Sequence, residues 1–384
     1  MSACDSCLRR SLLVGLLARR IAGLLDRPST RVAGLLALPE AELVRAVVGK
    51  RAPRVMEAVD GRDLTVERRG FARRGVMTVC RHAESYPSLL NDLADAPAVL
   101  FVVGAASETA ARLARLGDEP AVAIVGTRSA SSYGREVAHS LGRGLGAAGV
   151  PVISGLALGI DATAHRGCLA GGGMPVGVLA CGPDVAYPRR HRALHRKVCE
   201  EGLVMSELPP GTQPFRWSFP ARNRIMAGLA QITVVVEAAD PSGSLITSDF
   251  ARELGRTVGA VPGHITSRVA RGTNGLLRDG AVPVTCAEDV LDELFGAGAR
   301  RVPPPAPAAR AAPADPLLRR VLDAAERHQL VAAIAADAGT TIPAARAALG
   351  RLEAEGYVAR RELGGWERTL GTGPVLGAAY PGEP

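Results

Sequence analysis

The stretch from Ala121 to His165, AVAIVGTRSASSYGREVAHSLGRGLGAAGVPVISGLALGIDATAH, constrains the fold more than any other part of this chain. It holds two short apolar runs rich in β-branched residues, each followed by a glycine turn and then by a helical pattern. Two such units predict parallel strands with helices packed against the sheet. In this architecture ligands bind where strands end and where helix N-termini expose free N–H groups.

The turn after the first strand predicts an anionic ligand. Gly126 ends the strand, and Arg128 lies in the turn that leads into the helix. Ser131 or Ser132 is expected to cap that helix, and Asp161 is expected to cap the second one. An arginine beside free helix N–H groups suits a phosphate.

The common nucleotide motifs are absent, which excludes the usual dinucleotide and P-loop ATPase sites. The turn reads GTRSASSYG instead of G-x-G-x-x-G, and the second strand ends in Ser154-Gly155 without the acidic residue that binds a ribose. No G-x-x-x-x-G-K-[ST] occurs in the chain. The sequence therefore predicts a phosphate site of another kind.

Length and charge allow more than one class of protein. A chain of 384 residues predicts two or three domains. Lys and Arg number 46 against 38 Asp and Glu, a net charge of +8. This excess indicates either a polyanionic partner or only solubility and an Arg-rich composition.

The N-terminal region contains no membrane-spanning pattern, because arginines at positions 9, 10, 19 and 20 interrupt its apolar residues. We therefore expect a cytoplasmic protein with no membrane association. The seven cysteines are scattered, as in reduced cytosolic proteins. Cys4 and Cys7 form a C-x-x-C without a second pair at zinc spacing, so we interpret them as incidental and expect neither a metal nor a cofactor.

Five segments are predicted along the chain. They are an N-terminal helical bundle over 1–65, a Rossmann-like domain over 66–298, a Pro/Ala linker over 299–314, a winged helix over 315–372 and a flexible tail over 373–384. The helical bundle resembles helix-hairpin-helix or SAM-like bundles, which leaves nucleic-acid binding and protein docking equally open. The winged helix has a hairpin that is predicted to turn at Gly364-Gly365. Its sequence favours duplex DNA binding and protein docking equally.

Aromatic and basic residues concentrate in the segment FRWSFPARNR, which begins at Phe215 and ends at Arg224. Rings that stack on bases, combined with guanidinium groups that hold phosphates, suit single-stranded nucleic acid. The same alternation is also typical of a half-buried strand whose rings fill the core. The segment alone does not separate the two interpretations.

Other basic and glycine-rich loops are expected to join this segment on one edge of the sheet. Arg128 lies in the first turn, arginines 189, 190 and 192 follow the third parallel strand, and Gly243-Ser244 precede a helix. Turns after parallel strands open on the same carboxyl edge. A convergent basic rim is therefore predicted.

A catalytic triad of Ser154, Asp161 and His165 is disfavoured. The context VISGLALGID lacks the G-x-S-x-G elbow of such nucleophiles. Asp161 and His165 lie one helical turn apart, where helix capping and an i,i+4 contact account for both.

Eight motifs in fixed order resemble the DNA-processing protein A family, also called DprA or Smf. They are GTRSASSYG, ISGLALGIDATAHRGCL, LACGPDVAYP, SELPPGTQP, FPARNRIMAGLA, VVVEA with SGSLIT, AVPGHIT and GTNGLLRDGA. The resemblance covers the central domain, and both flanking domains resemble optional domains of that family.

The resemblance implies an α/β protein with an extended Rossmann-like parallel sheet that binds single-stranded DNA without hydrolysis. It further implies a homodimer that loads the RecA recombinase onto incoming strands during natural transformation. Gly126, Thr127 and Arg128 would form the phosphate cradle. The remaining expected DNA-binding residues are Ser129, Ser154, Gly155, Phe215, Arg216, Arg222, Asn223, Arg224, Gly243, Ser244, Thr247 and Asn274.

Two departures and one alternative accompany this expectation. Many members of the family carry Arg where this chain has Leu158, and the position of Arg216 varies among Lys, His and Arg. The alternative is a nucleotide-binding or nucleotide-hydrolysing enzyme that cleaves N-glycosides on a Rossmann-like scaffold. Its P-G-G-x-G-T-like loop has as nearest match Val261-Pro262-Gly263-His264, without the following glycines and threonine.

Overall fold

A computed structural model describes residues 3–25, 32–303, 313–328, 330–355, 357–360 and 365–368. The chain divides into two compact units, Met1–Pro303 and Pro304–Pro384. The first unit contains a nine-stranded sheet and the second a two-stranded one. No helix among the described residues is long and apolar enough to cross a membrane.

The sheet of the first unit has the strand order β1-β2-β6-β5-β4-β3-β7-β8-β9. β1 and β2 pair antiparallel, β2 and β6 pair antiparallel, and all later neighbours are parallel. The strands are β1 Val76–Cys80, β2 Val99–Gly104, β3 Val122–Val125, β4 Val152–Ser154, β5 Pro175–Val178, β6 Leu203–Ser206, β7 Ile232–Val235, β8 Thr257–Ala260 and β9 Val282–Pro283. The parallel strands predicted from apolar runs are confirmed.

Thirteen helices accompany this sheet within the described part of the first unit. They are α1 Asp5–Leu25, α2 Val32–Leu36, α3 Glu40–Val48, α4 Ala52–Asp60, α5 Leu64–Arg73, α6 Thr109–Asp118, α7 Ser132–Ala147, α8 Ile160–Ala170, α9 Arg192–Glu201, α10 Ser218–Leu229, α11 Gly243–Glu253, α12 Arg271–Arg278 and α13 Ala287–Phe295.

Helices cover both faces of the sheet because its strands are apolar on both sides. Along β3, Ala123 and Val125 pack into one core with residues of α6, α10, α11 and α12. Val122 and Ile124 point the other way, into a second core with residues of α7, α8 and α13. The period of two thus sends alternate side chains to opposite layers.

Helices α1 to α4 form a third core that includes residues from beyond β6. Leu13 and Leu17 of α1 and Leu43 of α3 pack there with Leu208 and Trp217. The boundary predicted between positions 65 and 66 falls within α5, and the structure groups these helices with the sheet in one unit. The five-segment division of the chain stays a prediction.

The second unit has three helices followed by an antiparallel hairpin in its described part. They are α14 Pro316–Arg327, α15 Val331–Asp337, α16 Ile342–Ala354, β10 Val358–Arg360 and β11 Trp366–Arg368. Val358 pairs with Arg368 and Arg360 with Trp366. Gly364 of the predicted turn, most of the linker and the tail over 373–384 lie outside the described residues.

One local prediction from the sequence is wrong, and one alternative interpretation is excluded. Asp161 does not cap α8, because Gly159 is the N-cap residue and Asp161 accepts a hydrogen bond from the Gly155 amide at 3.1 Å. The aromatic and basic segment is not a half-buried strand either. Its second half forms α10, which begins at Ser218 after Trp217.

Candidate functional site

The turn after β3 is fixed on both sides by main-chain hydrogen bonds. The Thr127 amide donates to the carbonyl of Glu237, at 2.7 Å, and the Ile160 amide donates to the Thr127 carbonyl, at 3.3 Å. A Cβ at Gly126 would lie 2.6 Å from Ile160 Cγ1, so only glycine permits this approach. The turn is thereby held in place while the Arg128 side chain remains exposed.

The Glu237 carboxylate fixes the start of α7. It accepts hydrogen bonds from the Ser131 amide at 2.9 Å and from the Ser131 hydroxyl at 2.5 Å. Ser131 in turn accepts from the Gly134 amide at 3.0 Å, which confirms the predicted serine cap. The buried Glu237 carboxylate therefore has a structural role, which is to fix the start of α7.

Arg222 of α10 is buried beside the carboxyl edge of the sheet, with 5% of its surface exposed. Its Nη1 donates to the Val178 carbonyl at 2.6 Å, whereas its buried Nε has no hydrogen-bond partner in the described part of the chain. A Cβ at Gly155 would collide with its guanidinium group. Burial lowers the pKa of Arg222 and raises that of Asp161, and the opposite charge of each opposes the shift of the other. The arginine stays charged, since its pKa starts far above neutrality.

The N-terminus of α11 lies beside the same place. The Ser242 hydroxyl caps the helix and accepts from the Ser244 amide at 3.4 Å. Asn223 holds this end in position by donating from Nδ2 to the Gly243 carbonyl at 3.1 Å. The buried Thr247 hydroxyl has no partner among the described groups. Like Arg222 Nε, it is a polar group that a bound anion would satisfy.

Two aromatic rings lie beside these donors. Phe219 and Tyr187 have ring centroids 5.8 Å apart with a tilt of 51° between the planes. The Arg128 guanidinium carbon lies 4.8 Å from the centre of the Phe219 ring, a cation–π arrangement. Tyr187 is 42% exposed, so one face of this pair is open to a ligand.

Three adjoining depressions share Arg128 and together form what we call the Arg128 groove. The first has a volume of about 240 Å³ and lies between the β3 turn, α10 and α11. The second lies beside Tyr187 and Phe219. The third has a volume of about 370 Å³ and is lined by Arg135, Arg166 and Arg190 besides Arg128. Among the residues that line the groove, Asp161 is the only carboxylate, so the groove is strongly electropositive.

The structure brings most of the residues predicted for the site together in this groove. The first depression is lined by Gly126, Thr127, Arg128, Arg222, Asn223, Gly243, Ser244 and Thr247. Gly155 lines the second depression and Ser129 the third. Residues more than one hundred positions apart thus meet at the carboxyl edge of the parallel sheet.

Two of the predicted arginines lie elsewhere. Arg224 is 2% exposed and forms ion pairs with Asp95 at 2.7 Å and Glu207 at 2.8 Å. Although burial lowers the pKa of Arg224, Glu207 and Asp95 raise it above its ordinary value. Arg216 is exposed but is not among the residues that line the groove.

Three other predicted residues have structural contacts instead. The buried Ser154 hydroxyl donates to the Ile124 carbonyl at 2.6 Å. Phe215 packs against the core of the N-terminal helices. Asn274 of α12 binds both the amide and the carbonyl of Gly263, at 3.1 and 3.0 Å.

Several side chains that line the groove are not among the residues predicted for the site. Phe219 belongs to the aromatic segment, and Arg190 to the basic loop after the third parallel strand, so sequence signals for both existed. Tyr187 and Arg166 fall within two of the eight motifs, LACGPDVAYP and ISGLALGIDATAHRGCL, whereas Arg135 lies outside the motifs. Arg135 lies on α7, whose exposed face also includes Ser132, Glu136 and Arg143, so an arginine there is unremarkable.

Comparisons with known proteins identify the family of this chain. The family model for DNA recombination-mediator protein A matches residues 77–295. A DprA homologue of Mycobacterium tuberculosis strain H37Rv is 45% identical over 198 residues, 51% of this chain and 49% of that protein. The DNA processing protein DprA of Streptococcus pneumoniae strain R6 is 39% identical over 236 residues, 62% of this chain and 79% of that protein.

A solved structure also matches, that of DNA processing protein A from Streptococcus pneumoniae. It has a TM-score of 0.60 and 32% identity, and the match covers 77% of this chain and 99% of that one. This chain spans about half the length of the Mycobacterium tuberculosis relative. Because the family model matches more than half of the residues and places the β3 turn, α10 and α11 inside the matched segment, the chain belongs to the DNA recombination-mediator protein A family.

Proposed function

We propose that this protein binds single-stranded DNA in the Arg128 groove and delivers it to the RecA recombinase during natural transformation and recombination. Four arginines, at positions 128, 135, 166 and 190, line one depression in which no carboxylate takes part. This observation carries the proposal, because uncompensated guanidinium groups in a row attract a polyanion.

Phosphate binding is supported by the first depression. The N-terminus of α11 carries no acidic residue in its first turn, and Gly243 has open space around it. The Thr247 hydroxyl and Arg222 Nε, which have no partner among the described residues, provide donors for one phosphate group.

A preference for single strands is supported by the rings of Phe219 and Tyr187. Unpaired bases expose faces that stack on aromatic side chains, whereas the bases of a duplex are already stacked. Phe219 lines the first and the second depression, and Tyr187 lines the second. A strand in the groove would place its backbone along the arginines and a base against Tyr187.

Binding without catalysis is supported by the contacts of the residues that a triad would use. Ser154 donates to the Ile124 carbonyl, and Asp161 accepts from the Gly155 amide. His165 is fully buried. Ser154 and His165 are therefore held within the scaffold and do not line the groove, and Asp161 lines the first depression with its carboxylate bound by the Gly155 amide.

Delivery to RecA, a homodimeric state and a cytoplasmic location are inferred from family membership. The helix order of the second unit, followed by a hairpin, supports a winged helix there. The helices α1 to α5 are inferred to be the optional N-terminal bundle of the family.

A mobility-shift titration tests the proposal, with single-stranded and duplex oligonucleotides over a range of salt concentrations. Single strands are expected to bind more tightly, and affinity is expected to fall steeply with salt. Arg128→Ala and Arg166→Ala should each weaken binding to all sequences and reduce the salt slope by about one. Arg278→Ala is the matched control, because Arg278 is highly exposed and does not line the groove.

Unchanged affinity in both groove variants would contradict the proposed site. Release of free base from nucleoside monophosphates by the purified chain would contradict binding without catalysis. RecA delivery is tested separately, by the rate of RecA filament formation on strands coated with a single-strand-binding protein. Sedimentation of the purified chain tests the homodimer.

A further inference from the structure

Two pairs of metal-ligating side chains, more than seventy positions apart along the chain, meet at the N-terminus of α1. Cys4 and Cys7 flank the first turn of that helix, Cys80 is the last residue of β1, and His82 follows two positions later. Their ligand atoms all lie within 4.8 Å of one another. The cluster has no member in the Arg128 groove.

The spacing of these atoms matches a tetrahedral site. Zinc–sulfur bonds of about 2.3 Å and zinc–nitrogen bonds of about 2.0–2.1 Å at tetrahedral angles place sulfur and nitrogen about 3.5 Å apart. His82 Nδ1 lies 3.5 Å from Cys4 Sγ and 3.4 Å from Cys7 Sγ. A single imidazole nitrogen therefore faces two thiols at the separation that a shared metal ion requires.

Accessibility also fits a structural metal ion. Cys7 and Cys80 are buried, while His82 is exposed. One side of the cluster is thus enclosed by protein, and the other side gives an ion access from solvent. A set of three sulfurs and one imidazole nitrogen suits Zn²⁺ rather than Mg²⁺ or Ca²⁺, which take oxygen ligands.

We propose that Cys4, Cys7, Cys80 and His82 form a structural zinc site that joins the start of α1 to the end of β1. The four ligands complete the coordination sphere, so the site has no open position for catalysis. On binding, the cysteines ligate as thiolates and release their protons to solvent. The C-x-x-C of the sequence is then half of the site, and Cys80-x-His82 is the other half.

The neighbouring contacts show what such an ion would stabilise. The Ala3 amide donates to Thr78 Oγ1 at 3.3 Å, and the Cys4 amide approaches Cys80 Sγ at 3.5 Å. Arg68 of α5 donates to the Ala3 carbonyl at 2.7 Å and pairs with Asp5. These contacts hold the chain beside β1, which is an edge strand of the sheet. A zinc ion would connect the N-terminal helices to that edge.

The experiment measures metal content and cobalt spectra on the full chain, purified under reducing conditions. Elemental analysis is expected to give about one zinc per chain after dialysis, or after addition of zinc and removal of the excess. Replacement by Co²⁺ should produce the intense visible absorption of tetrahedral thiolate-bound cobalt. A strong chelator should lower the melting temperature of the wild-type chain.

Variants at the more accessible ligands separate metal binding from folding. Cys4→Ser and His82→Ala are each expected to lose zinc and the cobalt spectrum, and to remove the effect of the chelator on melting. Cys286→Ser is the matched control, since Cys286 is an exposed free cysteine outside the cluster, and it should retain both signals. Circular dichroism checks that each variant is folded.

Several outcomes would overturn the proposal. One is a chain with fully reduced thiols that binds neither zinc nor cobalt. A Cys4–Cys7 disulfide in the chain isolated without an oxidant is another, as is iron with sulfide in place of zinc. Retention of zinc by both Cys4→Ser and His82→Ala would place the metal elsewhere. None of these measurements involves DNA, so failure here is independent of the proposed function.

Discussion

Arg222 and Arg224 lie two residues apart in α10 yet have opposite environments. Arg222 donates to the Val178 carbonyl and lines the Arg128 groove. Arg224 points to the other side of the helix, where Asp95 and Glu207 neutralise it at 2.7 and 2.8 Å. A step of two residues turns an α-helix by about 200°, so these two arginines face opposite sides of α10.

Arg224→Met is expected to destabilise the fold without affecting the groove. It would leave Asp95 and Glu207 as buried carboxylates without a cation, which costs about 3–5 kcal/mol of unfolding free energy. Arg224→Lys should cost less, because it keeps the charge but loses the paired hydrogen bonds. Urea unfolding measures the stability, and mobility shifts at low temperature measure DNA affinity per folded molecule. Weaker DNA binding by folded Arg224→Met would place Arg224 in the interface after all.

Phe219→Leu is expected to weaken single-strand binding by about 1–3 kcal/mol, because Phe219 packs against the open Tyr187 ring on which a base is proposed to stack. The Phe219 ring packs against the exposed Tyr187 ring, and the Arg128 guanidinium group lies over the Phe219 ring. Because Phe219 contacts no phosphate, the salt dependence should stay unchanged. Phe215→Leu is the matched control, since Phe215 packs in the core of the N-terminal helices. Equal losses in both variants would mean that the effect comes from folding.

Local patterns in the sequence determined the parts of the fold that could be predicted. The β-branched run before Gly126 predicts β3, and a serine three residues before Gly134 predicts the cap of α7. Such signals depend on neighbouring residues alone. The convergence of Arg128, Arg190 and Gly243 followed from one further rule, that turns after parallel strands share an edge.

Contacts between distant residues could not be predicted in the same way. No residue near Arg224 in the sequence predicts its ion pair with Asp95, which lies 129 positions away. Cys80 and His82 lie more than seventy positions beyond Cys7, so the sequence pattern did not connect them with the C-x-x-C. The fold places β1 beside α1 and thereby brings the four residues together. Phe215 and Phe219 share one aromatic segment, yet the start of α10 separates them into core and groove.

Gly155→Ala is expected to disrupt the groove by displacing Arg222, which lines it. The new Cβ would occupy the space of the Arg222 guanidinium and displace it from the Val178 carbonyl. Single-strand affinity should fall together with the melting temperature, because Arg222 is buried and has little room to move. Gly275→Ala is the control, since its Cβ would meet nothing within 4 Å, and it should stabilise α12 by about 0.5–1 kcal/mol. Full DNA affinity in Gly155→Ala would exclude Arg222 from the interface.

His165 is expected to make the first unit sensitive to mild acid. Burial, together with the charge of Arg222 and the nearby His191, lowers the pKa of His165 to about 3, whereas in the unfolded chain it returns to about 6.5. Below that value the unfolded state binds a proton that the native state does not, so stability falls as the pH drops from 6.5 towards 3.

The expected loss from His165 is about 2 kcal/mol at pH 5 relative to pH 7.5. Asp161 acts in the opposite direction, because its raised pKa favours the native state at low pH. The comparison of wild type with His165→Gln cancels this contribution, since Asp161 is present in both. Urea unfolding at pH 7.5 and at pH 5 measures the difference. The variant should lose about 2 kcal/mol less than wild type between the two pH values, and equal losses in both would show that His165 takes up its proton in the native state as readily as in the unfolded chain.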